Sequence, residues 1–273
     1  MLLKTIAGLS LLLAAVLFAG LDLALWLLPV LFAGIYLGLM LAAFLFLCLL
    51  CALVDLEKPQ EHDSSFYRAV MHLYIEALIP LVGLKIETRG LEKAPKEGRF
   101  LLVCNHQNES DPGILLHYFK KSQLAFISKR ENDSMFVVGK FMHKILCQLV
   151  NRENDREALK TILKCIQLIK EDEVSIGAFP EGGIKEKDKL SHFRSGMFKI
   201  AQKANVPIVV CTLKGTSDLF DNMRALKRTH VVLHLVDVIP AESLKGRTAV
   251  DIGDQVYQMM LADLGDEYQL EET

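Results

Sequence analysis

Apolar and charged positions divide the chain into two unequal parts. From Thr5 to Val54 the only charged residue is Asp22. Nearly all of the 31 basic and 33 acidic residues of the chain follow Val54. The pattern indicates an apolar leader followed by a sequence of ordinary globular composition.

The leader is too long for a single membrane-spanning helix. Its uncharged run from Leu23 to Val54 would form a helix of ~48 Å at ~1.5 Å per residue, whereas a hydrocarbon core is ~30 Å thick. We therefore expect two helices with a turn between Gly20 and Pro29, which gives a two-helix transmembrane hairpin over residues 1–56. Two shallow, re-entrant helices are an alternative, and a cleavable signal peptide is another.

The single basic residue near the start of the leader gives the expected topology. Lys4 favours a cytoplasmic N-terminus, so that two spans would return residues 57–273 to the cytoplasmic face. The formal net charge of −2 provides no general attraction for nucleic acid, so we expect no nucleic-acid partner. The expected partner is the lipid bilayer, in which the protein would be integral.

Short apolar runs alternate with helical patterns beyond the leader, which favours an α/β domain with a largely parallel central sheet flanked by helices. We expect one domain over 57–273, with a helix near 66–82 that lies on the bilayer surface or faces the core. Strands are predicted near 84–88, 100–104, 124–128, 174–178, 208–213 and 231–238. Helices are predicted near 112–121, 134–147, 155–170, 195–204, 216–226 and 248–263.

A histidine and an aspartate lie in the loop after the second predicted strand. The sequence CNHQNESDPG places His106 five residues before Asp111. Asp followed by Pro is typical of a helix start, so one interpretation makes Asp111 a helix cap. In the other, His106 removes a proton while Asp111 holds its second ring nitrogen. A metal site using Glu109 as a third ligand has no partner cluster elsewhere, and we expect no metal.

A second polar loop, FPEGG at residues 179–183, follows the fourth predicted strand. Its glycines permit close approach of the backbone to a ligand, although a plain turn at the strand end explains them as well. In parallel sheets the active site lies beyond the carboxyl ends of the strands. This loop and the His106 loop are therefore the places where we expect the active site.

These blocks, in their order and spacing, resemble the glycerolipid acyltransferase family, typified by the 1-acylglycerol-3-phosphate O-acyltransferases. The resemblance spans roughly residues 66–263. Beside His106, Asp111 and FPEGG, the matching blocks are Ala204 to Val210, Lys129 after an apolar run, Arg152 after Leu149-Val150, Phe193 to Gly196, and Val238 to Gly246.

The resemblance implies a role for each of these residues. His106 would be the general base that deprotonates an acceptor hydroxyl, Asp111 would orient it, and the hydroxyl would attack an acyl thioester directly. The chain has no G-x-S-x-G elbow to mark a covalent nucleophile. Binding of the glycerol phosphate would fall to Glu181, Gly182 and Gly183, with positive charge from Arg152, Lys129 and Lys185. No cofactor is implied, since acyl-coenzyme A or acyl carrier protein would be the acyl-donor substrate.

One departure concerns phosphate recognition. The family usually has Glu-Gly-Thr-Arg-Ser where this chain has Glu181 to Lys185, so that Ile184 replaces an arginine. The expected function is a membrane-bound O-acyltransferase that acylates 1-acyl-glycerol-3-phosphate, a lysophospholipid acceptor, to phosphatidic acid in phospholipid biosynthesis. The alternatives are an acyltransferase for another lysolipid, a catalytically inactive lipid-binding protein of the membrane, and a lipid hydrolase that activates water.

Overall fold

The first two helices are the most apolar part of the molecule. The computed structural model describes residues 1–21, 24–151 and 154–270. Helix α1 (Leu2–Leu21) packs against α2 (Leu28–Ala52). Both helices are long and apolar enough to cross a membrane by length and composition. Helix α1 ends and α2 begins within the predicted interval between Gly20 and Pro29.

Helix α3 (Ser65–Leu81) connects the apolar hairpin to the rest of the chain. Its Tyr67 and Tyr74 hydroxyls donate to the carbonyl oxygens of Leu50 and Ala43 in α2, at 3.1 and 2.5 Å. On the same helix the buried Arg68 guanidinium binds Asp63 and donates to two carbonyl oxygens of the α/β body. These contacts fix the end of α2 against the α/β body.

The body is built on a seven-stranded sheet in which all neighbouring strands are parallel except β6 and β7. The strand order is β1-β7-β6-β2-β5-β3-β4. The mostly parallel sheet predicted from the sequence is therefore confirmed. The strands are β1 (Leu84–Arg89), β2 (Leu101–Cys104), β3 (Leu124–Lys129), β4 (Gln148–Val150), β5 (Ser175–Ala178), β6 (Ile208–Lys214) and β7 (Thr229–Ile239).

Helices cover both faces of the sheet and create two apolar cores. Leu101 and Val103 of β2 point into one core, while Leu102 and Cys104 point into the other. This double burial explains why β2 is apolar throughout instead of alternating. The remaining helices are α4 (Asp111–Tyr118), α5 (Phe136–Lys144), α6 (Asp155–Lys170), α7 (Lys199–Ala204), α8 (Leu219–Arg224) and α9 (Ala249–Leu264).

Strand β4 is the element that the sequence pattern did not predict. The helix expected over 134–147 ends at Lys144, and β4 pairs with β3 from Gln148 to Val150. The three residues of β4 are only half-buried and lie at the edge of the sheet. Such a short run is below the length at which strand alternation can be recognised.

Candidate active site

The loop after β2 is held to the neighbouring strand by an asparagine. The Asn105 side chain donates from Nδ2 to the Leu213 carbonyl oxygen at 2.9 Å and accepts from the Leu213 amide at 2.7 Å. Asn105 is 1% exposed, so both bonds are shielded from water. The next residue, His106, therefore leaves the carboxyl edge of the sheet in a fixed direction.

His106 and Asp111 form a hydrogen-bonded pair. The distance from His106 Nδ1 to Asp111 Oδ2 is 2.9 Å, and the same oxygen accepts the backbone amides of Gln107 and Asn108 at 2.7 and 2.9 Å. Because Oδ2 already accepts two amide hydrogens, it acts as an acceptor towards the ring as well, so Nδ1 carries the proton. The other ring nitrogen, Nε2, then has a lone pair, and it makes no hydrogen bond to the residues that the structure describes.

The position of Asp111 modifies the helix-cap interpretation. Ser110 occupies the N-cap of α4, and Asp111 is the first helical residue. Its carboxylate turns away from the helix and accepts hydrogen bonds from the preceding loop. The Asp111 side chain is 0% exposed, whereas a helix-capping aspartate is usually exposed to solvent. Asp111 therefore begins the helix and orients His106 at the same time.

Glu181 of the FPEGG loop joins the two loops together. Its Oε1 accepts the backbone amide of His106 at 2.7 Å, and its Oε2 accepts the amide of Ser191 at 2.8 Å. The side chain is 2% exposed. Burial raises the pKa of the Glu181 carboxyl, and the two amide hydrogen bonds oppose that rise. Both oxygens thus hold the backbone beside the His106–Asp111 pair.

An aromatic ring from the same loop supports the imidazole. Phe179 stacks on His106 with ring centroids 4.1 Å apart and an angle of 21° between the planes. Phe126 stacks in turn on Phe179 at 5.5 Å. Together with the Asp111 hydrogen bond, this stacking leaves the imidazole little freedom to rotate.

The two glycines form a turn whose backbone few other residues adopt. Gly182 has φ of +75° and Gly183 has φ of +139°. The Arg194 side chain passes so close to Gly182 that a β-carbon there would lie 2.9 Å from the arginine Nε. The Arg194 amide also donates to the Pro180 carbonyl at 2.8 Å. The turn therefore brings an exposed guanidinium group against its backbone.

The structure positions the predicted phosphate-binding cations less closely than it positions His106 and Asp111. Lys129 ends β3 at the carboxyl edge of the sheet, and Lys185 follows the glycine turn, both with exposed side chains. Ile184, in place of the family arginine, is 41% exposed. Arg152 lies outside the described residues. The cationic subsite stays a prediction, and Arg194 joins it as a candidate from the structure.

Cys104, two residues before His106, is unsuited to act as a nucleophile. The thiol is 0% exposed, and desolvation raises its pKa well above the usual range. Because the thiolate is the reactive form, burial keeps this sulfur inert. Among the described residues there is also no group of three or more histidine, cysteine or acidic side chains arranged to hold a metal.

Several parts of the site were not identified from the sequence. Ser191 contributes only its backbone amide, which leaves no signal in the sequence. Arg194 was recognised as a motif position but not as a neighbour of the glycine turn, because the two are 12 positions apart in the chain. The stacking of Phe179 on His106 could have been inferred, since the two residues lie just beyond the carboxyl ends of strands that pair with each other.

Comparisons with known proteins identify similar chains. Residues 85–214 match the Acyltransferase family model. The chain is 30% identical over 178 residues to a probable 1-acyl-sn-glycerol-3-phosphate acyltransferase of Mycoplasma pneumoniae, covering 63% of this chain and 64% of that protein. It is 26% identical over 222 residues to the 1-acyl-sn-glycerol-3-phosphate acyltransferase of Haemophilus influenzae, covering 80% and 92%. The match with the Mycoplasma protein thus spans a little less than two thirds of that relative.

A solved structure has the same fold. The crystal structure of PlsC, the 1-acyl-sn-glycerophosphate acyltransferase of Thermotoga maritima, superimposes with a TM-score of 0.61 at 19% identity, covering 72% of this chain and 79% of that one. The matched family segment contains both loops of the site, from His106 to the glycine turn. Residues 85–214 therefore match the acyltransferase family that the motifs predicted.

Proposed function

We propose that the protein transfers an acyl chain from an acyl thioester to the free hydroxyl of 1-acyl-glycerol-3-phosphate. The observation that carries the proposal is the His106–Asp111 pair. Its buried carboxylate accepts a hydrogen bond from Nδ1, which leaves the lone pair on Nε2 to accept a proton. This is the arrangement needed by a general base that must act on a hydroxyl. The relatives named as acylglycerol-phosphate acyltransferases support the choice of acceptor.

The transfer is a single displacement in which the protein forms no covalent bond. His106 Nε2 removes the acceptor hydroxyl proton as the oxygen attacks the thioester carbonyl carbon. The tetrahedral intermediate collapses, the carbon–sulfur bond breaks, and the imidazolium returns its proton to the thiolate. Asp111 stabilises the imidazolium between the two proton transfers. Acyl-coenzyme A or acyl carrier protein is the proposed donor, and phosphatidic acid is the product.

The acceptor phosphate would lie beside the glycine turn. Arg194 contacts Gly182, and Lys185 follows the turn, so two cations lie beside the turn although Ile184 occupies the place of the family arginine. A guanidinium group can bind two phosphate oxygens at once, which a lysine cannot. We propose Arg194 as the principal phosphate ligand among the described residues, with Lys129, Lys185 and Arg152 as further contributors.

The apolar hairpin would place this site at a bilayer. Large apolar side chains of α1 and α2 are widely exposed, for example Leu12 at 60% and Leu37 at 67%. Exposed apolar surface on this scale marks a membrane or protein contact. Insertion of α1 and α2, with the α/β body on the cytoplasmic face, would bring the site to a membrane-borne lysophospholipid in a phospholipid-synthesis pathway.

The experiment uses purified full-length protein in detergent with a labelled acyl donor. Acyl-coenzyme A and acyl carrier protein donors are each tested with lysophosphatidic acid, a phosphodiester lysolipid and a phosphate-free monoacylglycerol. We expect phosphatidic acid as the main product and none with His106→Ala. The proposal fails if no acceptor gives a His106-dependent product. Free fatty acid without acylated lipid would indicate a hydrolase, and preference for another lysolipid would correct the acceptor.

A further inference from the structure

The segment that ends α8 exposes three large apolar side chains. Leu226 is 96% exposed, and Phe220 and Met223 are 46% and 39% exposed. Phe220 and Met223 are three positions apart and are therefore neighbours on the surface of α8. Residues 220–228, which we call the α8 corner, thus form an apolar projection from the α/β body.

The backbone of the α8 corner holds Leu226 in a conformation that leucine rarely adopts. Its φ is +54°, in the left-handed region. The Leu226 amide donates to the Met223 carbonyl oxygen at 3.1 Å, and the Lys227 amide donates to that of Asn222 at 2.8 Å. This helix-ending motif usually has glycine at the position of Leu226. An exposed leucine in a strained conformation is explained by a contact outside the α/β body.

The α8 corner lies at the edge of the sheet that carries the proposed base. Strands β2 and β6 are parallel, with Cys104 beside Cys211. The His106 loop follows the carboxyl end of β2, and α8 follows the carboxyl end of β6. Both therefore leave the sheet on the same side.

Helix α3 ends beside the α8 corner. The Thr229 amide donates to the Gly83 carbonyl oxygen at 3.0 Å, and a β-carbon on Gly83 would lie 3.4 Å from the Lys227 carbonyl oxygen. Leu78 and Leu81, in the last turn of α3, are 51% and 55% exposed. The exposed apolar side chains of α3 and of the α8 corner therefore belong to adjoining parts of the surface.

The apolar hairpin projects toward this same end of the molecule. On α3 the Tyr67 hydroxyl donates to the carbonyl oxygen of Leu50. Further along α3, the Tyr74 hydroxyl donates to Ala43, earlier in α2, so that α2 runs antiparallel to α3. From Ala43 back to Leu28, α2 continues for ~22 Å in the direction in which α3 leads to the α8 corner. The hairpin and the α8 corner therefore face the same side.

Basic residues surround the apolar side chains of the α8 corner. It contains three basic residues, Arg224, Lys227 and Arg228, and one acidic residue, Asp221. All four are exposed, and Arg224 Nη1 lies 3.6 Å from Asp221 Oδ1. Basic side chains beside exposed aromatic and aliphatic groups are typical of segments that bind the surface of an anionic membrane.

We propose that the α8 corner is a second membrane contact, in which Phe220, Met223 and Leu226 enter the headgroup region of an anionic bilayer and the basic residues bind its phosphates. The inference rests on the proposed insertion of α1 and α2, which sets the side that faces the bilayer. A second contact limits rotation of the α/β body about the hairpin. It thereby holds the edge that carries His106 at the lipid surface from which the acceptor is taken.

Tryptophan fluorescence tests the two contacts separately. Trp26, the only tryptophan of the chain, lies between α1 and α2 and reports insertion of the hairpin. In a Trp26→Phe background, Leu226→Trp reports on the α8 corner. Val250→Trp is the matched control, since Val250 is 55% exposed and begins α9 beyond the opposite end of β7. Each full-length protein is reconstituted in phosphatidylcholine–phosphatidylglycerol vesicles, with and without brominated acyl chains.

We expect bromine to quench the emission of Leu226→Trp and to leave that of Val250→Trp unchanged. Quenching of Trp26 in the parent without quenching of Leu226→Trp would overturn the proposal, since the hairpin would then insert without the α8 corner. Short-wavelength emission from Leu226→Trp without quenching would also overturn it, because protein would cover the corner. If Trp26 is not quenched, the proposed insertion of the hairpin fails, and quenching of Leu226→Trp still decides whether the corner contacts lipid.

The vesicle composition tests the basic residues. Quenching of Leu226→Trp should be weaker in pure phosphatidylcholine than in anionic vesicles, and weaker in anionic vesicles when Lys227→Gln and Arg228→Gln are added. Lys199→Gln with Lys203→Gln, two exposed lysines of α7, is the control of equal charge and should change nothing. Equal quenching in both lipids and in all variants would overturn the role of the basic residues.

Discussion

The described residues contain two close histidine–aspartate pairs, and the two differ far more in their surroundings than in their hydrogen bonds. His106 Nδ1 lies 2.9 Å from Asp111, and His234 Nδ1 lies 2.6 Å from Asp263. The first pair is on a loop at the carboxyl edge of the sheet, with its aspartate fully buried. The second links the middle of β7 to α9, and both of its side chains are about one quarter exposed.

The partners of the two aspartates explain what each pair can do. Asp111 is fixed by two backbone amides, and its histidine stacks on Phe179. The second oxygen of Asp263 accepts the Thr212 hydroxyl, so that this pair ties the antiparallel strands β6 and β7 to α9. A short histidine–aspartate hydrogen bond is therefore insufficient evidence for a base. The loop position and the fixed imidazole distinguish the catalytic candidate.

Removal of each imidazole gives the largest expected contrast. His106→Ala should lower kcat for acyl transfer by about a hundred- to ten-thousandfold, because the base is lost. His234→Ala should keep kcat within about threefold and mainly lower stability, since it leaves Asp263 with one partner fewer. Steady-state kinetics with the two purified variants measures the contrast. Similar losses in both would show that the pairs are not functionally distinct.

Neutralising each aspartate should give a smaller contrast. Asp111→Asn should reduce kcat by about a hundredfold with little change in KM, because the neutral amide leaves the imidazolium without its counter-charge. Asp263→Asn retains an acceptor for the Thr212 hydroxyl and should leave kcat near the parent value. Equal kcat in the Asp111→Asn variant and the parent would remove Asp111 from the mechanism.

Glu181→Gln tests whether the surroundings of His106 matter as well as the pair. One of the two backbone donors would face the glutamine NH2 group, so we expect a loss of ~1–3 kcal/mol in the free energy of unfolding. We expect kcat to fall about tenfold, since the His106 backbone loses its support. Glu186→Gln, at an exposed position after the turn, is the matched control and should change neither quantity. Parent-like stability and kcat in Glu181→Gln would count against a role for Glu181 in holding the His106 and Ser191 amides.

Gly182→Ala is expected to have the smallest effect. Its φ of +75° is strained for alanine, and the new methyl group would meet Arg194, so the free energy of unfolding should fall by ~1–3 kcal/mol. Gly113→Ala is the control, because α4 has open space there and alanine favours helix. Denaturant unfolding compares the two. A destabilisation by Gly113→Ala as large as that by Gly182→Ala would refute the explanation.

The sequence predicted the framework well where apolar runs were long or fully buried. Helix α6 begins and ends where the pattern placed it, at residues 155 and 170, and the buried strands were found. The His106 and Glu181 loops were selected as site loops from the rule that active sites lie beyond the carboxyl ends of parallel strands, and the structure pairs the two strands that precede them. Strand β4 was missed because three half-buried residues carry too little periodicity.

The details of the site were harder to predict because backbone atoms supply many of its contacts. Glu181 was expected at the glycerol phosphate, and the structure directs its carboxylate to the amides of His106 and Ser191. No residue type signals that a backbone amide will be the partner. The Leu190 amide likewise donates to the carbonyl oxygen of Tyr268, 78 positions later in the chain. Such contacts arise from the tertiary fold and leave no local pattern.

The central claim is that His106 activates the acceptor hydroxyl for direct attack on the thioester. The most direct test mixes the purified protein with acyl-labelled donor and lysophosphatidic acid, quenches in acid over time, and follows label in both lipid and protein. We predict that label passes to phosphatidic acid without a protein-bound acyl species, and that His106→Ala stops the transfer. Protein-bound label that later chases into phosphatidic acid, or undiminished transfer by His106→Ala, would contradict this account.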